Sequence, residues 1–286
     1  MTPNPWLDRR VLNWAHQGGA REAPSSTLFA MRRALERGAD AFELDVHRSA
    51  DGHLVVCHDA TVDATTDGHG PIASLTLAQL KGLDNAYWFV PGRGHTAGAD
   101  PDEYVLRGRA PDDGELGVAT LREVLEAFPG VFLNLDIKQT APEVVPYEAD
   151  LARVLADYGR VDDVIVASFN DACTEEFRRH SPKVGISPGS QGVARLHRAV
   201  RRGEDPGPLG WAAVQVPPRS GDVEIVTPDF VAAAHRGGAA VHVWTIDEPD
   251  EMRGLIGLGV DGVMTDVPSV LSDVVAAAGA AYRPAG

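Results

Sequence analysis

The chain has 286 residues, 26 basic against 41 acidic side chains, and a formal charge of −15 with histidine neutral. That sign argues against a general binder of nucleic acid or of anionic membrane, whose affinity rests on phosphate neutralisation by Lys and Arg. A hydrophobic content of 44% with 23% charged residues excludes a disordered chain. Cys57 and Cys173 are too few for a disulfide framework and lack the spacing of a zinc site. No apolar run of signal-peptide length opens the chain, and none reaches the ~20 residues of a membrane span. The expectation is a cytoplasmic protein without a stable membrane anchor; nothing in the sequence speaks to its oligomeric state.

Apolar runs and amphipathic segments alternate along the chain. The first strand, 11–16 (VLNWAH), ends on His16 and leads to a helix at 26–37. The second, 41–46 (AFELDV), is followed by a hairpin turning at Asp51-Gly52 and then by a Gly-, Pro- and Asp-rich insertion, so that 47–118 separate it from its helix at 120–127. Strands at 131–137, 163–168, 183–187, 212–216, 240–245 and 261–265 then alternate with helical segments at 147–157, 171–179, 191–202, 228–236, 249–258 and 268–279. Eight such units predict one α/β domain over 1–286, a (β/α)₈ TIM barrel whose catalytic groups sit at the C-terminal ends of the strands.

Residues two apart on a strand share a face, so Glu43 and Asp45 point together, with Phe42, Leu44 and Val46 opposite. The third strand repeats the pattern with Asn134, Asp136 and Lys138. Three carboxylates converging at a barrel mouth repel one another unless a cation neutralises them, and hard oxygen ligands select Mg²⁺ or Ca²⁺. The plainer alternative is three acids that are separately hydrogen-bonded or exposed at a sheet end. His16 and His58 each stand at a strand end aimed at the acids, where an imidazole can act as general acid or base. The other eight histidines read as surface or packed residues. A cation, two imidazoles and Lys138 suit a small phosphodiester, whose cleavage needs charge neutralised, a nucleophile deprotonated and an alkoxide protonated. Trp244 reads equally as core or site lining, and Gln215 as a substrate contact or a partner for its neighbours. Tyr87, Trp88 and Phe89 read as packing of the insertion, or as a lid or lipid-facing wall.

At these residues the chain resembles the glycerophosphodiester phosphodiesterase family across nearly its whole length. The segment 38–70, GADAFELDVHRSADGHLVVCHDATVDATTDGHG, is similar to the family signature, and AHQGG, SLTLAQLKGLD, NLDIK, ASFN and VHVWTID…GVDGVMTDVP extend the likeness. The resemblance implies catalytic histidines at His16 and His58 and metal carboxylates at Glu43, Asp45 and Asp136. It implies a substrate contact from Lys138 and a site-lining Trp244, and it puts Gln17, which can still donate a hydrogen bond to substrate, where the family has a phosphate-contacting arginine; Gln215 is a candidate substrate contact from its strand position alone. The implied reaction is metal-dependent hydrolysis of a glycerophosphodiester to sn-glycerol 3-phosphate and an alcohol, by direct attack of water or through a cyclic phosphate. Alternatives are lysophospholipase D-type hydrolysis of lysophospholipids, or a catalytically weak barrel that binds a phosphorylated ligand. Three departures stand out. Gln17 replaces the family's arginine, Ser25 its glutamate and Asp136 its longer glutamate. We read the first two as a paired neutralisation that leaves Lys138, the metal and Arg219 to hold the phosphate.

Overall fold

Eight parallel strands alternate with eight helices in the computed structural model, which describes residues 4–138 and 144–282. The strands are β1 (Leu12–His16), β2 (Ala41–Arg48), β3 (Phe132–Ile137), β4 (Val164–Ala167), β5 (Gly185–Ile186), β6 (Ala213–Val216), β7 (Ala240–Val243) and β8 (Gly262–Thr265). They pair in the order β5-β4-β3-β2-β1-β8-β7-β6. β5 and β6 share no ladder, but the Ala212 N–H donates to the Ile186 carbonyl at 2.9 Å across the gap, so the barrel is nearly closed. The helices that follow are α1 (Leu28–Glu36), α2 (Leu121–Ala127), α3 (Glu148–Asp157), α4 (Asp171–His180), α5 (Ser190–Arg201), α6 (Pro228–Arg236), α7 (Pro249–Leu258) and α8 (Pro268–Ala277). Each expected strand and barrel helix is present. The strand expected at 183–187 is reduced to two residues, and the one expected at 240–245 stops before Trp244.

Alternation explains the packing. Outward residues of β2 and β3, including Phe42, Leu44, Val46, Leu133 and Leu135, are buried against α1–α4, and Val241, Val243 and Val263 pack with α6–α8. Inward residues form layers. The lower interior is plugged by Trp6, Trp14, Phe132 and Ile165. Gly262 is required there, because a Cβ at that position would lie 2.6 Å from Trp14 Nε1. Above the plug, Gln215 donates to Asn134 Oδ1 at 2.8 Å. The carboxylates lie higher still.

The hairpin turns where expected. Ser49 Oγ donates to Asp51 Oδ1 at 2.7 Å, Gly52 takes φ +89°, and the chain returns as the antiparallel arm Leu54–Val56, with Val56 opposite Val46. The rest of the insertion has its own small core, in which Ile72, Leu80 and Val118 pack with Val55 and Val62, and a short helix, Leu77–Lys81, opened by a Thr76/Gln79 capping box. Among the described residues no helix is long and apolar enough to cross a membrane.

Candidate active site

Register brings the expected residues together. Parallel pairing sets His16 against Glu43, Glu43 against Asn134 and Asp45 against Asp136, so the acids of two strands lie side by side. The hairpin arm runs back along β2, and the chain leaving it carries His58 to the same mouth, its carbonyl 3.3 Å from His47 Nε2. The two imidazoles stand with ring centroids 6.0 Å apart and planes at 80°. His16 is 17% and His58 42% exposed at the side chain, so His58 is the outer of the two.

Each imidazole is oriented by an aspartate. His16 Nδ1 donates to Asp266 Oδ1 at 2.6 Å and His58 Nδ1 to Asp59 Oδ1 at 2.8 Å, which turns the Nε2 edge of each ring away from its aspartate, His16 Nε2 lying 3.3 Å from Gln17 Nε2 and 3.7 Å from Glu43 Oε2. Burial works against charge on His16, but the Asp266 hydrogen bond, with Glu43 and Asp45 nearby, outweighs it and pushes its pKa up to about 9. Asp266 is itself steadied by Asp247, whose Oδ1 accepts from the Asp266 N–H at 2.9 Å and from Thr265 Oγ1 at 3.0 Å.

The carboxylates are buried, and Glu43 Oε2, Asp45 Oδ2 and Asp136 Oδ1 have no hydrogen-bond partner. Burial, with Asp45 adding repulsion, pushes Glu43 up to about 8; burial also pushes Asp136 up to about 6, against the pull of Lys138. The Lys138 ammonium lies 2.9 Å from Asp45 Oδ1 and 3.3 Å from Asp136 Oδ2. Burial opposes its charge, yet the two acids hold it above the ordinary lysine value. Lys138 thus braces the acid cluster as well as facing the mouth. Among the described residues no three His, Cys, Asp or Glu groups form a ready-made ligand set. The donor chemistry nevertheless fits a hard divalent cation: three buried carboxylates, each with an oxygen left over.

These groups open into one cavity of about 540 Å³, also lined by Gln215 and Trp244. Two expected contacts lie elsewhere. Gln17 is buried, takes φ +53°, and sets its Nε2 3.3 Å from His16 Nε2; it is not among the residues lining the cavity. Arg219 is likewise not among the residues lining the cavity. It sits on an exposed two-residue ribbon after β6 and donates to the Asp222 carbonyl at 3.0 Å, because the chain turns back there and only Ser220 faces inward. The insertion aromatics form packing, not a wall: Tyr87, Trp88 and Tyr104 surround Arg107, and Phe89 is buried.

A family profile described as the glycerophosphoryl diester phosphodiesterase family matches residues 16–270. The chain belongs to that family. It is therefore a phosphodiester hydrolase, and the similarity extends to individual proteins. A glycerophosphodiester phosphodiesterase of Caldanaerobacter subterraneus is 31% identical over 270 residues, covering 93% of this chain and 98% of that protein. Among solved structures, the phosphodiesterase domain of a Mycobacterium tuberculosis protein superposes with TM-score 0.74 at 21% identity, covering 92% of this chain and 98% of that one. A phosphodiesterase of Oleispira antarctica, solved in complex with the product sn-glycerol-3-phosphate, gives TM-score 0.69 at 21% identity over 95% of this chain and 99% of that one. Both structures speak to the fold. The sequence did not single out Asp266 and Asp59, the two carboxylates that hold the imidazoles at Nδ1. Asp266 carried a readable signal, an acid closing the strand that pairs with β1.

Proposed function

We propose that the chain hydrolyses glycerophosphodiesters to sn-glycerol 3-phosphate and an alcohol, with a divalent cation, Mg²⁺ or Ca²⁺, held by Glu43, Asp45 and Asp136. The observation that carries this reading is the row of three buried carboxylates on paired strands, each with one oxygen lacking a partner, at the mouth that also holds both imidazoles. An ion held by Glu43, Asp45 and Asp136 would supply neutralising charge for the phosphoryl oxygens. Lys138 adds a second positive charge at the same place and offsets the repulsion between Asp45 and Asp136, which both lie within ion-pair distance of its ammonium.

One of His16 and His58 takes a proton from the nucleophile and the other returns one to the departing oxygen. Asp266 and Asp59 hold the Nδ1 side of each ring, so the tautomer presented to substrate through Nε2 is fixed. Gln17, lying on His16 Nε2, limits where that ring can turn. Gln215 and Trp244 line the cavity beside the acids, where they would contact the substrate. A phosphate-binding barrel without catalysis has no use for two imidazoles oriented in this way.

The test is hydrolysis of glycerophosphocholine by the full chain after chelation, followed by titration with Mg²⁺ and with Ca²⁺. The expected result is loss of activity and its return with one or both ions, together with a loss of at least about 100-fold in His16→Asn and His58→Asn. Turnover that persists under chelation, or in both variants, overturns the reading.

A further inference from the structure

Asp266, which accepts the Nδ1 hydrogen bond of His16, is fixed through its own peptide groups by two residues that do not line the cavity. Its N–H donates to Asp247 Oδ1 at 2.9 Å, and its carbonyl accepts from the Arg21 N–H at 3.2 Å. Arg21, in the turn after β1, joins the two, because its guanidinium lies 3.5 Å from the other Asp247 oxygen, Oδ2. The same side chain reaches the insertion. There Phe89–Val90 and Gly94–His95 pair as a short antiparallel tongue, and Gly92 at its turn is bound to Arg21 twice. The Gly92 N–H donates to the Arg21 carbonyl at 2.8 Å, and Arg21 Nε donates to the Gly92 carbonyl at 3.2 Å. The approach is so close that Gly94, at φ +73°, has no room for a side chain: a Cβ there would lie 3.0 Å from the Ala20 carbonyl oxygen. His95 on the tongue brings no cation to compete with His16 for Asp266, since burial pushes its pKa down to about 4 against the pull of Asp59 and Asp266.

We propose that Arg21 is a positioning residue for the hydrolysis: held by the tongue of the insertion, it fixes Asp266 through Asp247 and so aims the His16 ring. The proposal rests on the reading of His16 as acid or base, and goes beyond it by giving the insertion a part in the reaction. An arginine on a half-exposed turn samples many rotamers unless its head is held, and here the Gly92 carbonyl and Asp247 hold it from two sides. The links run from the tongue to Arg21, Asp247, Asp266 and His16, each a hydrogen bond or ion pair of 3.5 Å or less. Arg21 itself lies outside the cavity. Loosening it therefore misplaces the ring that moves a proton and leaves the groups that face bound substrate in place, so the loss falls on kcat.

The test measures kcat and KM for glycerophosphocholine, with Mg²⁺ or Ca²⁺ present, in the full chain and in Arg21→Met, Arg21→Lys, Asp247→Asn and the Arg21→Met, Asp247→Asn double variant. Asp247→Asn keeps an oxygen for the Asp266 N–H and loses the charge that faces Arg21. Arg21→Met should lower kcat about fivefold and leave KM within about twofold, the scale of one hydrogen bond with a half-exposed ion pair. Arg21→Lys, which keeps the charge, should recover part of the loss. The double variant should be no slower than the slower single one, because the two residues act in series. Gly94→Val, which drives the tongue off the Ala20 carbonyl, should lower kcat in the same way, whereas Arg93→Met, whose partner is Glu103 within the insertion, should leave kcat unchanged. An unchanged kcat in Arg21→Met or Gly94→Val, a loss confined to KM, or losses that multiply in the double variant would overturn the role given to Arg21. His16→Asn separates this failure from the larger one: if it abolishes turnover while Arg21→Met is normal, the Arg21 role alone falls, and if it retains turnover, the acid–base reading falls with it.

Discussion

Asp266 is the residue on which His16 most depends. Its carboxylate is 2.6 Å from Nδ1, and it heads the influences that raise the His16 pKa against burial. Asp266→Asn keeps the shape and removes the charge, so kcat/KM should fall by about 10²-fold or more. The limb of the pH profile that belongs to His16 should also move to lower pH, whether that group serves as acid or base, because its folded pKa drops from about 9. A pH profile of kcat/KM that loses amplitude without moving would show that Asp266 acts through structure alone. The second residue-scale prediction concerns Gln17 and Ser25. The Ser25 and Ser26 hydroxyls are buried without partners, and the Ser26 N–H donates to the Gln17 carbonyl at 2.7 Å, so these positions are neighbours. Gln17→Arg alone should lower stability by about 3 kcal/mol, as an unpaired buried charge does. Adding Ser25→Glu should return about 1–3 kcal/mol of it; urea unfolding of the four proteins measures the coupling, and strict additivity would end the idea that the two positions form a unit. Glu43, Asp45, Asp136 and both histidines were legible because a two-residue period on paired strands leaves few arrangements. Asp59 was not, since it lies past the end of the hairpin arm, where no period says which way a side chain turns.

At the scale of elements, every barrel strand could be located from the sequence because each is a short apolar run between turn residues. The insertion could not be drawn in the same way. Its order comes from contacts between residues far apart in sequence, and Arg107 is the clearest case. Its guanidinium lies 3.5 Å from the Tyr104 ring centroid, 4.3 Å from Tyr87 and 4.8 Å from Trp88, while its Nε donates to the Tyr87 carbonyl at 2.9 Å. A composition rich in Gly, Pro and Asp gives no hint that one arginine fills an aromatic box. Arg107→Met keeps the length and loses the charge, so it should cost about 1–2 kcal/mol, the range of a desolvated cation–π contact with a lost hydrogen bond. Because the box does not line the cavity, the loss should appear as faster proteolytic cutting within 84–110, with kcat unchanged. Equal cutting in the two proteins would mean that Arg107 does not hold the insertion together.

For the whole molecule, the mouth of the barrel couples stability to pH and to the cation. Glu43 and Asp136 have folded pKa values of about 8 and about 6, above their ordinary 4.5 and 3.8. The folded state therefore binds these protons more tightly than the unfolded chain does, and stability declines as pH rises from about 4 to about 8. His16 adds in the same direction. Its pKa is raised from 6.5 to about 9, so the stability it contributes is complete below 6.5 and is lost as pH passes through about 9. With a chelator present, Tm should accordingly fall from pH 5 to pH 9. A cation that binds the ionised carboxylates competes with those protons, so its stabilisation should grow over the same range. At a concentration a hundredfold above Kd the gain is about 2.7 kcal/mol, which for a chain of this size is roughly 4–5 °C in Tm. Thermal scans at pH 5, 7 and 9, with chelator and with Mg²⁺ or Ca²⁺, measure both trends in one protein. Glu43→Gln should flatten the chelated slope, because it removes the acid with the larger shift, and should weaken the response to the ion because it removes a ligand. If the ion raised Tm equally at pH 5 and pH 9, its site would have to lie away from these three acids, and the electrostatic account of the barrel mouth would fall with it.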